Sequence, residues 1–143
     1  MPEKRQVQRK HYNTSVWSLA LRKKIKTPNE QKIVNQFSEI IRELKLVIIG
    51  PIRQEILSGI SNKNRFEELK GRISVFEDFP LESQDYELAA ELYNKCRSKG
   101  IQGSHIDFLI CSVAINNQLG ILTLDKDFEK YQKHIPIKLE IFV

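Results

Sequence analysis

Two short apolar runs, LVII at residues 46–49 and ILTL at 121–124, constrain this chain more tightly than anything else in it. Both are too short for a helix, and neither shows the strict alternation of a strand with one wet face. A strand that is apolar on both faces belongs in a parallel sheet covered by helices on each side. Parallel neighbours require long crossovers, and helical patterns fill the sequence between the runs. Thr27, Pro28 and Glu30 mark a helix start, with threonine as the cap, proline at the first helical position and glutamate closing a capping box. Ile33, Val34, Phe37, Ile40, Ile41 and Leu44 then recur at the helical interval.

Gly50 and Pro51 end the first run and start a second helix, expected to continue through Ile52, Ile56 and Ile60. A helical pattern over residues 64–72 leads into Ile73, Ser74, Val75 and Phe76, which read as a short edge strand. A strong helix over residues 83–99 stops at Gly100, and Gly103 with Ser104 opens the next one through Ile106, Leu109, Ile110 and Val113. Residues 139–143 read as a last strand. The expected fold is α/β, a three-layer sandwich with a mostly parallel central sheet flanked by helices. A chain of 143 residues suits one domain, with residues 1–10 as a basic tail and 11–143 as the folded part.

Charge narrows the class. The net charge is +5, but residues 1–26 hold eight basic side chains against Glu3 alone, a local +7 that leaves −2 for the rest. Such a patch attracts a polyanion such as RNA, or is simply a solvated tail. No apolar run approaches the roughly 18 residues of a membrane span, and MPEKRQVQRK lacks the apolar stretch of a secretory signal. A soluble, cytoplasmic protein with no membrane partner is expected. Cys96 and Cys111 lie in helical patterns without metal-type spacing and read as reduced, buried thiols.

The acidic residues gain meaning from that architecture. In a parallel sheet the strand C-termini and the N-termini of the following helices share one edge, where ligands bind. Asp125 follows the run ILTL, Glu55 lies in the first turns of the helix entered from LVII, and Asp107 lies in the first turn of the helix opened by Ser104. Asn13 stands at the mouth of the helical segment TSVWSLAL. Three carboxylates and one amide would thus meet at one edge, a cluster that calls for a cation. All-oxygen donors suit Mg²⁺ or Mn²⁺, and such ions promote phosphodiester hydrolysis. Each residue also has a plainer reading: Asp107 as half of a capping box with Ser104, Glu55 as an exposed helix residue, and Asp125 as the start of a turn, with Asp127 capping the short helix FEKYQ.

NTSVW, GPIRQEILSG, GSHIDFLICSVA and ILTLDKDF occur in the order and at about the separations found in PIN-domain ribonucleases. The chain resembles most the VapC-type toxins of bacterial toxin–antitoxin pairs, from about residue 12 to 140. The resemblance implies an endoribonuclease dependent on Mg²⁺ or Mn²⁺, dimeric in most members and silenced by a cognate antitoxin whose C-terminal segment crosses the active site. Carried over motif by motif, Glu55, Asp107 and Asp125 fall on acidic positions, with Asp107 a principal metal ligand. Thr14 and Ser15 fall on the hydroxyl positions beside the first acid, where they hold that side chain or contact phosphate. Arg22, Lys23 and Lys24 would guide the RNA backbone, the substrate being a structured RNA such as tRNA.

One position departs from that pattern. Where the family has an apolar strand ending in D-T-S or D-S-S, this chain has VQRKHY followed by Asn13. An amide offers one neutral carbonyl oxygen, so metal binding and cleavage should be weakened. The alternative function is a catalytically inactive PIN-fold protein that binds RNA or an antitoxin without cutting. Other classes fit less well. The strand-D-x-D look of ILTLDKDF suggests a haloacid-dehalogenase phosphatase, but only 16 residues follow Asp127. A receiver domain wants a phospho-acceptor aspartate in mid-chain, and zinc through Cys96, His105 and Cys111 lacks a fourth ligand. His105 is expected as a partly buried neighbour of the acidic pocket.

Overall fold

The computed structural model describes residues 10–12, 27–42 and 46–140. The expected α/β sandwich is the observed architecture, helix-rich around a four-stranded sheet in which every strand pair is parallel. The strands are β1 (Lys10–Tyr12), β2 (Leu46–Val47), β3 (Gly120–Leu122) and β4 (Leu139–Glu140), in the order β2-β1-β3-β4. Both apolar runs enter this sheet. Val47, Ile48 and Ile49 are buried, as are Gly120, Ile121 and Leu122, which fits strands covered on both faces.

Of the two interior strands, β1 is the one without an apolar run. Lys10, His11 and Tyr12 pair with β3 at Gly120, Ile121 and Leu122, while Lys10 and His11 also pair with Leu46 and Val47 of β2. Its place is set by hydrogen bonding on both edges.

The helices are α1 (Pro28–Arg42), α2 (Gly50–Leu57), α3 (Lys63–Ile73), α4 (Ser83–Ser98), α5 (His105–Asn117) and α6 (Asp127–Gln132). The capping box of α1 forms as expected: Glu30 N–H donates to Thr27 Oγ1 and Thr27 N–H donates to Glu30 Oε1, both at 3.1 Å. α2 ends at Leu57, short of Ile60, because the backbone leaves the helical region at Ser58, ψ 137°, and Gly59 follows at φ +87°.

No edge strand forms at residues 73–76. Ile73 ends α3, Ser74 N–H donates to the Gly71 carbonyl, and Arg53 of α2 donates through its guanidinium to the Ile73 and Phe76 carbonyls. Those two carbonyls face the guanidinium instead of a neighbouring strand. The chain reaches the sheet two residues later, at a parallel bridge between Ile48 and Asp78.

α5 is the buried helix of the fold. Every residue from Phe108 to Ala114 is buried, so the helix has no wet face over two turns. It packs against α4 and β3. Gln118 ends it in the left-handed conformation, φ 55°, and the chain enters β3 two residues later. Asp85, buried near the start of α4, links the two helices: it accepts from Glu82 N–H and from the Asn116 side-chain amide, both at 2.9 Å. No helix among the described residues is long and apolar enough to cross a membrane.

Candidate active site

Strand order defines where a site belongs. β1 leads on to β2 at one side and its neighbour β3 leads on to β4 at the other, so β1 and β3 form a switch point, which opens a crevice beyond the strand C-termini. The last pair at that point is Tyr12 with Leu122.

Asp107 lies in the first turn of α5. Its N–H donates to the Ser104 hydroxyl at 3.0 Å, which is half of the capping box read from the sequence. The carboxylate also reaches a distant partner: Oδ2 accepts the Tyr131 hydroxyl at 2.8 Å. Burial pushes the Asp107 carboxyl above the usual carboxylate range, hydrogen bonds from Tyr131 and Ser104 oppose that shift, and the negative charges of Asp125 and Glu55 add to it. Asp107 therefore has both other predicted acids as electrostatic neighbours. Glu55 is exposed in the second turn of α2, and Asp125 is half-buried in the turn after β3.

Asp125 starts the turn, as in its plainer reading, and also takes the capping part expected of Asp127. The Asp125 N–H donates to Thr123 Oγ1 at 3.0 Å, and Asp125 Oδ1 accepts the Asp127 N–H at 2.9 Å. Asp125, two residues before α6, closes the turn that starts it. Asp127 is the first residue of the helix and makes an exposed ion pair with Lys130 at 3.5 Å.

Tyr131 is the residue that sequence reasoning missed. It is fully buried, with ring centroids 4.8 Å from Phe108 and 5.3 Å from Phe128. Burial, followed by the hydrogen bond to Asp107, pushes its phenol far above the ordinary range, so it stays a proton donor. The only trace in the sequence is its place three residues after Phe128, on the apolar face of a short helix. His105 is exposed and stacks on Tyr93 at 4.8 Å with 19° between the rings, so it is not the half-buried neighbour expected. Cys96 and Cys111 are buried, unpaired thiols, as expected.

Asn13, Thr14, Ser15, Arg22, Lys23 and Lys24 lie outside the described residues. Among the described residues no three His, Cys, Asp or Glu side chains converge tightly enough to cage an ion. In kind, the oxygen donors suit Mg²⁺, which commonly takes one or two protein carboxylates and keeps several waters.

The chain belongs to the PIN-domain family, whose model matches residues 13–134. No curated protein matches it by sequence. Among solved structures it is similar to FitAcB from Neisseria gonorrhoeae, at 16% identity and a TM-score of 0.72 over 92% of this chain and 96% of that one. It is likewise similar to VapBC2 from Rickettsia felis bound to a promoter DNA fragment, at 18% identity and a TM-score of 0.72 over 91% and 96%. FitAB bound to an IR36 DNA fragment aligns with a TM-score of 0.70 at 17% identity, over 91% and 92%. These likenesses establish a shared fold.

Proposed function

We propose that this chain is a metal-dependent endoribonuclease, the toxin of a type II toxin–antitoxin pair, weakened by Asn13. The observation that carries the reading is Asp107, half-buried at the start of α5, whose carboxyl is pushed up first by burial and then further by the charges of Asp125 and Glu55, which come from separate parts of the chain. A family whose members are generally nucleases supports it, as does a fold shared with the FitAcB and VapBC2 assemblies.

Asp107, Asp125, Glu55 and Asn13 would hold Mg²⁺ or Mn²⁺, which supplies Lewis-acid stabilisation of a phosphodiester and a more acidic water when bound. Thr14 and Ser15 hold the Asn13 side chain or a phosphate oxygen. Arg22, Lys23 and Lys24 take the RNA backbone, giving salt-dependent affinity with little base preference. The toxin reading brings with it a cognate antitoxin, a homodimer and a structured RNA substrate such as tRNA, acting in the cytoplasm.

Asn13 itself favours the second reading, a PIN-fold protein that binds RNA or an antitoxin without cutting. The test is cleavage of total tRNA with Mn²⁺ by the chain as it stands, by Asn13→Asp and by Asp107→Ala. Cleavage by the parent that disappears in Asp107→Ala supports the enzyme. A silent parent restored by Asn13→Asp identifies a weakened nuclease, and silence in all three overturns catalysis in favour of binding.

A further inference from the structure

We propose that Tyr131 is a positioning residue that sets the orientation of the Asp107 carboxylate, and that residue 103 is glycine so that this tyrosine can reach it. The inference rests on the metal-site reading above. An aspartate carboxylate turns about a broad, roughly two-fold torsion and does not by itself hold one plane. Here the Tyr131 hydroxyl donates to Oδ2 at 2.8 Å, and the tyrosine cannot follow a turning carboxylate because its ring is wedged against Phe108 and Phe128. The lone pairs that Tyr131 and Ser104 leave open are then the ones offered to a cation.

Gly103 makes the reach feasible. A Cβ at that position would stand 2.8 Å from Tyr131 Cζ and 2.7 Å from Phe108 Cε2, and closer still to the tyrosine hydroxyl. Both rings are fully buried, so neither has room to yield. A phenylalanine would fill the same core volume without a buried hydroxyl to satisfy. The hydroxyl therefore points to a use at the carboxylate it touches, in the way that outer-shell partners orient metal ligands.

The experiment is an Mn²⁺ titration of the full chain followed by electron paramagnetic resonance, with a thermal melt of each sample, for the parent, Tyr131→Phe, Gly103→Ala and Asp107→Ala. Asp107→Ala should lose Mn²⁺ binding. Tyr131→Phe should bind about tenfold more weakly, at the near end of the 10–100-fold range for outer-shell partners, while its melting temperature stays close to the parent's. Gly103→Ala keeps the hydroxyl but displaces it, and should also weaken binding, which provides the decision if Tyr131→Phe does not fold. Parent-like affinity in Tyr131→Phe, with binding lost in Asp107→Ala, overturns the positioning role and leaves the metal site standing. Parent-like affinity in Asp107→Ala, or a parent that binds no Mn²⁺, overturns the metal-site reading itself.

Discussion

β1 and β3 lie side by side, paired residue for residue, yet they reach that position by opposite means. β3 is an apolar segment, Gly120 to Leu122, buried throughout and delivered by a buried helix two residues upstream. β1 is Lys10, His11 and Tyr12, whose sequence lacks an apolar run, yet like β3 it carries ladder partners on both sides. Strand identity in this sheet comes from hydrophobicity in one case and from topology in the other. The two strands end together at the switch point, so the candidate site has one half built by burial and one half held by backbone pairing.

The most severe challenge to this contrast is His11→Pro. A proline in the middle of a doubly paired strand removes a ladder donor and is tolerated only at sheet edges or bulges, so the loss should be the largest of this series, read as a fall in the urea midpoint. An unchanged midpoint would mean that β1 contributes little to the fold. Ile121→Ala should cost about 2–5 kcal/mol, because Ile121 is wholly buried. A cost under 1 kcal/mol in the same titration would contradict burial as the origin of β3.

A smaller effect, of opposite sign, is expected at the start of α5. Because the Asp107 pKa is raised in the folded state, the folded protein binds more protons than the unfolded chain in the window above the ordinary carboxylate value. Stability from this group is greatest below that window, falls as the pH rises through it, and stays reduced above it. Asp107→Asn should therefore melt higher than the parent at pH 7, with the gain fading as the pH drops through the carboxylate range. A parent that melts higher at pH 7 would refute the sign. The smallest change belongs to Lys130→Ala, which removes an exposed ion pair with Asp127 and should shift stability by less than about 0.5 kcal/mol. A larger loss on denaturation would show that Asp127, and not Asp125, anchors the start of α6.

The sequence revealed most of the elements that follow local rules. The Thr27 capping box, the stop at Gly100 and the Ser104 cap each depend on residues a few positions apart, and each formed as read. Misreadings arose where distant residues decide. Residues 73–76 have strand-forming side chains, but Arg53, some 20 positions earlier, occupies their carbonyls. β1 was legible only as a poor strand because its stability lies in its neighbours. At the site, Asp107 and Asp125 could be placed at element boundaries, but the Tyr131 bond to Asp107 spans 24 residues and leaves no local pattern. Asp125 and Asp127 are two apart and both can cap, so spacing alone could not assign them.

The two cysteines offer a use of their own. Cys96 and Cys111 are the chain's only thiols and both are fully buried, one in each of the two helices that pack against each other. Burial, joined by the negative charge of Asp107 one turn earlier, pushes the Cys111 thiol up and suppresses its thiolate. In the native fold an aromatic disulfide reagent should find almost nothing to attack, so its colour development would time each opening of the α4–α5 seam without any added label.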